Sequence, residues 1–312
     1  MPKIVALGEP MVQFNALSNG PLRHVNLFEK HVAGSEANFC AHAVRTGSEC
    51  ALIARVGKDE FGATIMEWLR GVGVDIRHIK VDRDAPTAVY FVQRNFPVPY
   101  RTEMFYYRKG SAGSRLNPED VDHSLITTAD LIHSSGITLA ISLSAREAVF
   151  KAFEKAKSTS FDTNVRLKLW SAEEARETIL KLMPDIGLLI TDREDSKVLF
   201  GVSEFPEVVK RVSEYPVRVL LFKEGPKGAT VFREGEVVRV PGYSVPVEDV
   251  LGAGDAMAGT FVSLYIQGFE IKEALSYAVA AASLKVTVRG DQTATPDLEE
   301  IKKFLLEYKP GE

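Results

Sequence analysis

The chain has 312 residues, 45% of them hydrophobic, and its 38 Lys and Arg nearly balance its 42 Asp and Glu, for a formal charge of −4. This length allows one large α/β domain or two ordinary ones, and the balanced charge gives no electrostatic reason to expect nucleic acid or an anionic membrane as a partner. No apolar run approaches the roughly 20 residues that span a bilayer, so we expect a cytoplasmic protein.

Short β-branched runs alternate along the chain with segments of helical period. The expected strands lie at residues 3–7, 51–56, 130–134, 160–162, 187–190 and 218–222, and expected helices follow at 59–70, 144–156, from 171 onwards and at 194–199. This alternation predicts a mostly parallel sheet covered by helices on both faces, a three-layer α/β/α fold. Ligands bind beyond the carboxyl ends of such strands, where we expect Asp162, Asn164, Thr191, Lys223 and Glu224.

Residues 87–107 interrupt the alternation with a strand, a turn that contains Pro97 and Pro99, and a second strand. This pattern indicates a β-hairpin inserted into the α/β body. Together with a segment near the N-terminus it predicts a small β layer that serves as a lid or as an oligomer interface. We expect residues 1–312 to form a single domain, with lid strands contributed from about 11–30 and 86–108.

The two cysteines, Cys40 and Cys50, lie outside any CxxC or Cys/His cluster. A structural zinc site is therefore not expected. The pair is typical of reduced, partly buried thiols in a reducing compartment, and a disulfide between them remains open.

The run Gly252, Ala253, Gly254, Asp255 precedes an apolar segment that we expect to be a buried helix. Its small residues let backbone N–H groups converge at the helix N-terminus, which favours an anion such as a phosphate. A carboxylate beside a phosphate needs a chemical task, and general-base attack on a substrate hydroxyl is such a task. On spacing alone, a helix cap in a tight turn explains Asp255 equally well. The run matches neither the P-loop nor the dinucleotide-binding fingerprint.

Upstream of this run stand residues 34–38 (Gly-Ser-Glu-Ala-Asn), then Gly47 and residues 55–62. The two separated signatures, in this order, resemble those of the ribokinase-like (PfkB) family of carbohydrate kinases, and the resemblance extends from Gly8 to about Asp291. It implies a ribokinase-like α/β/α fold and a Mg²⁺-dependent transfer from ATP. In that family the backbone of the glycine-rich run forms an anion hole for the transferred phosphate. Its aspartate, here Asp255, deprotonates the attacking hydroxyl.

Two further segments fall in the family's order. Residues 223–228 resemble its nucleotide-side loop, which implies that Lys223, Gly225 and Gly228 lie near ATP, although a turn into a hairpin explains the same residues. Residues 191–194 stand where the family often has Asn-x-x-Glu, a motif linked to Mg²⁺. Glu194 matches this motif and Thr191 departs from it, so Glu194 is an indirect metal candidate and alternatively a solvated helix residue.

The sugar is indicated by residues near the first strand and the hairpin. Neutral-sugar members carry an aspartate where this chain has Gln13, and an amide does not repel an acidic substrate. Arg108 and Arg166 are suited to paired recognition of a carboxylate, and Tyr90 and Tyr106 can cover the substrate. Salt bridges and hairpin packing explain these four residues as well, and similar elements occur in fructokinase-like members.

The whole pattern is most similar to the branch of the family that phosphorylates the terminal hydroxyl of 2-keto-3-deoxygluconate to the 6-phosphate, in sugar-acid catabolism of the Entner–Doudoroff type. 2-Keto-3-deoxygalactonate is a second candidate substrate. The sugar-binding residues implied are Gly34, Asn38, Tyr90, Tyr106, Arg108, Arg166, Asp255 and Asp291. The ATP-binding residues implied are Asn164, Arg166, Lys223, Gly225, Gly228, Gly252, Ala253 and Gly254.

Two other functions stay open at this point. One is a fructokinase or another neutral-sugar kinase of the same family, and the other is a sugar- or nucleotide-binding sensor without catalysis. The intact Gly252–Asp255 run favours an enzyme, because a binding module needs no base at the phosphate-side helix terminus. We expect a homo-oligomer formed through the β lid, and the use of a monovalent cation is open.

Overall fold

The fold was analysed in a computed structural model that describes residues 1–99 and 101–309. The strands are β1 Lys3–Leu7, β2 Met11–Ala16, β3 Phe28–Ala33, β4 Glu49–Gly57, β5 Ile79–Asp82, β6 Val89–Arg94, β7 Thr102–Tyr107, β8 Leu131–Ser135, β9 Thr159–Asp162, β10 Leu188–Asp192, β11 Val219–Lys223, β12 Ala229–Arg233 and β13 Glu236–Val240. The helices are α1 Ser35–Arg45, α2 Glu60–Val72, α3 His123–Thr128, α4 Gly136–Ile141, α5 Leu143–Lys155, α6 Ala172–Leu182, α7 Arg193–Phe200, α8 Phe205–Val212, α9 Ala253–Ile266, α10 Ile271–Val286 and α11 Leu298–Glu307.

Nine strands form the main sheet in the order β13-β12-β11-β10-β9-β8-β1-β4-β5. Neighbouring strands from β11 to β5 are parallel. At the other end of the sheet, β12 pairs in antiparallel fashion with both β11 and β13. In β1, Ile4 and Ala6 join one apolar core, whereas Val5 and Leu7 join the other. A strand buried on both faces is what a parallel sheet between two helical layers requires. The predicted α/β fold class is confirmed.

A second sheet has four strands in the order β3-β2-β6-β7. Its strands arise from the two segments expected to supply the lid, although β3 continues to Ala33, past the expected limit at residue 30. Alternation along β7 divides the sheet into two faces. Tyr106 lies on the inner face with Tyr90, and both pack with Leu251, which precedes α9. Phe105 and Tyr107 lie on the outer face and are exposed.

The carboxyl ends of the parallel strands bring distant polar residues to one edge of the main sheet. Asp162 at the end of β9 is in register with Ser135 of β8 and Ile190 of β10. Asp192 at the end of β10 is in register with Lys223 of β11. This edge faces the N-terminus of α9, so the fold collects the candidate residues in one place.

Both cysteines are buried free thiols, and their Sγ atoms lie 2.7 Å apart between α1 and β4. Burial raises the pKa of the Cys40 thiol, so this sulfur is held in its protonated form. Among residues 1–99 and 101–309, no helix has the length and apolarity that crossing a membrane demands.

Candidate active site

The N-terminus of α9 is formed by a glycine turn. Gly252 is the N-cap and has a left-handed backbone with φ 80°. A Cβ at this position would lie 2.7 Å from the carbonyl oxygen of Asp291, so only glycine fits. The first turn of α9 then faces β11, where the Nζ of Lys223 lies 3.5 Å from the position of a Cβ on Gly254. Amides of the first turn and a lysine thus face the same space, as an anion site requires.

Asp255 lies in the first turn of α9 and is held from α1. The Oγ of Ser35 donates to its Oδ1 at 2.7 Å, and the Nδ2 of Asn38 donates to its Oδ2 at 2.8 Å. The cap of α9 is Gly252 and not Asp255, so the alternative interpretation of Asp255 as a helix cap is wrong. Burial raises the pKa of Asp255, while the two hydrogen bonds from α1 oppose that rise. A buried carboxylate without a cationic partner is the form expected of a general base.

A second buried carboxylate, Asp291, lies beside Asp255. Tyr90 donates its hydroxyl proton to Asp291 Oδ2 at 3.0 Å, and Gln13 donates to Oδ1 at 3.3 Å. Asn38 also contacts Asp291, at 3.4 Å, and so bridges the two carboxylates. Burial, with the charge of Asp255, raises the pKa of Asp291 to about 6. The fold therefore brings together the sugar-side residues expected near Asp255, and it adds Gln13.

Two more of the predicted sugar residues stand at the edge of this cluster. Gly34 precedes α1, and a Cβ there would lie 2.6 Å from the carbonyl oxygen of Glu9, so the backbone approaches closely at this point. The ring of Tyr106 stacks on that of Tyr90 with centroids 5.1 Å apart. The guanidinium of Arg108 lies over the Tyr106 ring at 5.7 Å. The two tyrosines thus form an aromatic wall on the lid side.

The charge of Arg108 is already paired within the protein. Its Nε donates to Glu9 Oε2 at 2.8 Å, and its Nη2 lies 2.5 Å from the same oxygen. Ser111 donates its hydroxyl proton to the other oxygen of Glu9, which is buried. The sequence signal for Glu9, a carboxylate directly after the first buried strand, was available and was missed. The arginine remains at the site but brings no net charge to it.

Arg166 is the contrasting case. Its side chain is exposed, and its Nη1 donates only to the carbonyl oxygen of Val165, at 3.2 Å. Within residues 1–99 and 101–309, no carboxylate lies within 4.0 Å of its guanidinium. Burial raises the pKa of Tyr106, and the positive charges of Arg166 and Arg108 oppose that rise. Arg166 is therefore an unpaired cation close to the aromatic wall.

A pocket of about 320 Å³ lies on the other side of the α9 N-terminus. Its lining includes Lys223, Gly225, Tyr243, Ala253, Gly254 and Met257. Lys223 forms two hydrogen bonds with Asp162, at 2.7 and 2.9 Å. Burial lowers the pKa of Lys223, but the carboxylate of Asp162 outweighs it, so the pKa is raised and the lysine stays charged. The pocket has an apolar end and a charged end, as a nucleotide requires.

Four predicted nucleotide residues do not line this pocket, namely Asn164, Arg166, Gly228 and Gly252. Asn164 donates through Nδ2 to the Oγ of Ser35 at 3.0 Å, and Ser35 in turn donates to Asp255. Asn164 is therefore connected to the carboxylate through one hydroxyl. Gly228 packs against the backbone of Val240 at the start of the hairpin. It shapes the loop rather than the pocket wall.

The acidic residue of α7 that faces the site is Asp195 and not its neighbour Glu194. Glu194 is exposed in the first turn of α7. Asp195 is buried, accepts from Thr163 Oγ1 at 2.6 Å and from the Val165 amide at 3.0 Å. Burial, with the charge of Asp192, raises the pKa of Asp195 to about 6. Glu194 and Asp195 are consecutive, so they lie on different sides of the helix. Sequence spacing could not determine which of the two sides faces the site.

Side chains suited to magnesium lie at the charged end of the pocket. The charges of Asp162, Asp192 and Asp195 all act on Lys223 there. Within the described part of the chain, no group of three or more His, Cys, Asp or Glu side chains forms a ready-made metal site. Mg²⁺ keeps several waters and binds through one or two carboxylates together with substrate phosphates. These carboxylates fit a magnesium ion that arrives with ATP.

Comparison with known proteins agrees with this geometry. The profile of the pfkB family carbohydrate kinases matches residues 1–298. The chain is 53% identical over 307 residues to 2-dehydro-3-deoxygluconokinase of Thermoproteus tenax. The alignment covers 98% of this chain and 94% of that protein. It therefore belongs to the pfkB family of carbohydrate kinases, as the two sequence signatures predicted.

Solved structures show the same fold. A putative ribokinase II of E. coli in complex with ATP and Mg²⁺ is 27% identical, with a TM-score of 0.92 over 98% of this chain and 100% of that one. The 2-dehydro-3-deoxygluconokinase of Thermotoga maritima is 25% identical, with a TM-score of 0.88 over 97% of this chain and 98% of that one. The ribokinase-like fold expected from the sequence is confirmed.

Replacing Asp255 by Asn tests the general base. The amide keeps both hydrogen bonds, because Ser35 can accept from its nitrogen while Asn38 donates to its oxygen. We expect ATP affinity to stay near that of the wild type and kcat to fall by about 10² or more, the usual size of a general-base effect. Calorimetric titration with ATP and steady-state ADP release measure the two quantities. Asp185→Asn, at an exposed position, is the matched control, and near-normal turnover in Asp255→Asn would contradict the assignment.

The pH dependence of stability should reveal the cost of burying a charge on Glu36. Its Oε1 accepts from Ser135 at 2.6 Å and Thr138 at 2.8 Å, and burial raises its pKa from 4.5 to about 7. The folded state therefore takes up a proton in this window, so stability falls as pH rises from 4.5 to 7 and then levels off. Glu36→Gln should raise the free energy of unfolding at pH 8 by up to about 3 kcal/mol and change it little at pH 4.

Urea unfolding at the two pH values measures this difference. Glu67→Gln, an exposed glutamate on α2, serves as the control and should show no pH-dependent gain. An equal effect of Glu36→Gln at pH 8 and pH 4 would show that Glu36 is not protonated on folding.

Proposed function

We propose that the protein is an ATP-dependent kinase that phosphorylates the terminal hydroxyl of 2-keto-3-deoxygluconate, giving the 6-phosphate. The observation that carries the proposal is the position of Asp255. It lies at the N-terminus of α9, between a polar cluster on the lid side and the pocket that contains Lys223. The 53% identity to the Thermoproteus tenax enzyme supports the substrate.

The residues divide the reaction between them. The sugar hydroxyl lies against Asp255, which takes its proton as the oxygen attacks the γ-phosphorus of ATP. The bond from that phosphorus to the bridging oxygen of the β-phosphate breaks at the same time, and ADP leaves. The backbone amides of Ala253 and Gly254 and the ammonium of Lys223 face the phosphoryl group, whose charge spreads over its oxygens in the transition state. Asp162 and Asp195 would hold a Mg²⁺ that arrives with ATP, and this ion would neutralise further phosphate charge. Positioning and charge stabilisation suffice, because phosphoryl transfer needs little covalent chemistry from the protein.

The charges of the site favour an acidic sugar whose carboxylate is bound by a single protein cation. Glu9 neutralises Arg108, whereas Arg166 has no carboxylate partner among the described residues. We therefore assign the substrate carboxylate to Arg166, and we give Arg108 an orienting role on the face of Tyr106. Gln13 contributes an amide where a carboxylate would repel such a substrate. This assignment differs from the expectation from sequence, in which Arg108 and Arg166 bind the carboxylate as a pair.

A neutral sugar remains the second candidate substrate because of Asp291. Its carboxylate is hydrogen-bonded to Tyr90 and Gln13, and it can also accept from sugar hydroxyls. A fructokinase would use these acceptors without needing the charge of Arg166.

ADP release with a panel of sugars separates the candidates. We expect kcat/KM for 2-keto-3-deoxygluconate to exceed that for fructose and ribose by about tenfold or more, with 2-keto-3-deoxygalactonate as a test of tolerance at C4. Arg166→Ala should lower kcat/KM for the acid by roughly 10 to 100-fold, the value of a charge-assisted hydrogen bond, and change residual fructose turnover far less.

Two control variants sharpen this test. Lys168→Ala removes an exposed cation two residues away and should have little effect, whereas Arg108→Ala should lower turnover of both sugars alike. A preference for fructose, or an equal loss on both sugars in Arg166→Ala, would overturn the assignment.

We also propose that the chain forms one kinase domain, with the four-stranded sheet as its lid, and works in the cytoplasm. The outer face of the sheet supports pairing of two lids. Tyr107 is 67% exposed, and it lines a surface pocket together with Phe91 and Phe105. Apolar side chains gathered on one face of a sheet indicate a protein interface.

Sedimentation equilibrium tests the lid interface. We expect twice the chain mass for the wild type and a shift toward the monomer for Tyr107→Glu, because a buried unpaired carboxylate opposes association. Glu236→Gln, on an exposed strand of the main sheet, is the control. A monomeric wild type at micromolar concentration would exclude the lid dimer.

A further inference from the structure

Lys285, in the last turn of α10, is a fully buried lysine that the reaction described above does not use. Its side chain is 0% exposed. In the part of the chain that the structure describes, no carboxylate oxygen lies within 4.0 Å of its Nζ. Instead it donates to the carbonyl oxygens of Asp249, at 3.2 Å, and Val288, at 3.4 Å. Burying an ammonium costs free energy, so the burial of Lys285 requires an explanation.

The two carbonyl oxygens belong to the two loops that frame the anion hole. Asp249 lies in the loop that leads into Gly252 and α9, and Val288 lies in the loop that leads from α10 to Asp291. The same loops are also joined by the Gly290 amide, which donates to Asp249 Oδ2 at 3.1 Å. Lys285 is therefore one of the ties between the phosphate side and the sugar side of the site.

Lys285 also packs directly against the glycine turn at the N-terminus of α9. The Cε of Lys285 lies 3.4 Å from the position of a Cβ on Gly252, and the Asp291 carbonyl oxygen closes the same space. Burial lowers the pKa of Lys285, and the charges of Asp249, Asp291 and Asp255 oppose this by favouring the ammonium. The amino group of Lys285, which donates to two carbonyl oxygens, thus lies close to the turn whose amides are proposed to receive the phosphoryl group.

Converging backbone carbonyl oxygens are also the ligands of K⁺ in proteins, where they replace its water. A lysine ammonium has the same charge and offers three donors. We propose that Lys285 is a positioning residue of phosphoryl transfer that holds the loops of Asp249 and Val288 as an internal cation. The kinase then needs no added Na⁺ or K⁺. The proposal rests on the proposed kinase function and deepens it.

Kinetics in different salts test the inference. Turnover of the wild type should vary by less than about twofold between KCl, NaCl and choline chloride at equal ionic strength, which keeps general screening constant. In choline chloride, Lys285→Ala should lower kcat by about 10², the usual cost of losing one stabilising group at an anion hole, with smaller changes in KM. KCl or methylammonium chloride should restore part of the loss, and Lys285→Arg should retain more activity than Lys285→Met.

Lys272→Met is the matched control, since this lysine is exposed on the first turn of the same helix. Strong activation of the wild type by KCl over choline chloride would overturn the proposal, because it would show that an ion and not Lys285 occupies the place. Unchanged kcat in Lys285→Met would overturn it as well.

Thermal melting gives a readout that does not depend on turnover. KCl should raise the Tm of Lys285→Ala relative to choline chloride and leave that of the wild type unchanged. If ADP release shows the kinase proposal to be wrong, this comparison still decides whether Lys285 acts as the internal cation. If Lys285→Ala does not fold, the salt comparison on the wild type decides. A K⁺-dependent rise of the wild-type Tm would reject the inference.

Discussion

The hydrogen bonds from α1 to Asp255 are the interaction on which the rest of the site depends. Ser35 and Asn38 reach this carboxylate across more than 200 residues of sequence, from a separate helix. They can do so because α1 and α9 touch. A Cβ on Gly259 of α9 would lie 2.4 Å from the Phe39 carbonyl oxygen of α1. Close packing of two helices therefore determines where Asp255, the proposed base, lies, with the polar cluster of the lid side on one side of it and the pocket of Lys223 on the other.

The buried carboxylates of the site fall into two groups with different partners. Glu9 and Asp162 are paired with Arg108 and Lys223, and pairing of this kind stabilises a buried charge and holds a geometry. Among the described residues, neutral side chains donate the hydrogen bonds to Asp255 and Asp291, and burial raises the pKa of both. A carboxylate whose pKa is raised is a stronger base, which is the property a general base needs. The division between structural and chemical carboxylates follows from the partner and not from the residue type.

Much of the fold and part of the site followed from local pattern. Alternating strands and helices predict a parallel sheet, and a parallel sheet gathers its strand ends at one edge, so Asp162 and Lys223 were expected to meet. The pairing of Arg108 with Glu9 was not foreseen, because the partners are 99 residues apart and lie in loops, after β7 and after β1. Asp195 was not foreseen as the buried carboxylate of α7, because the motif that indicated Glu194 does not reveal which side of a short helix faces the pocket.

By itself, the sequence determined the class of fold and the family and indicated Asp255 as the candidate base, because those depend on periodicity and on short runs such as residues 252–255. Only the tertiary structure decided how charge is distributed around that base. It paired Arg108 and left Arg166 unpaired among the described residues, and it buried Lys285 between two loops. The physical reason is that the charge a substrate meets depends on which ionisable groups are neighbours in space, and neighbours in space are set by the packing of helices and sheets.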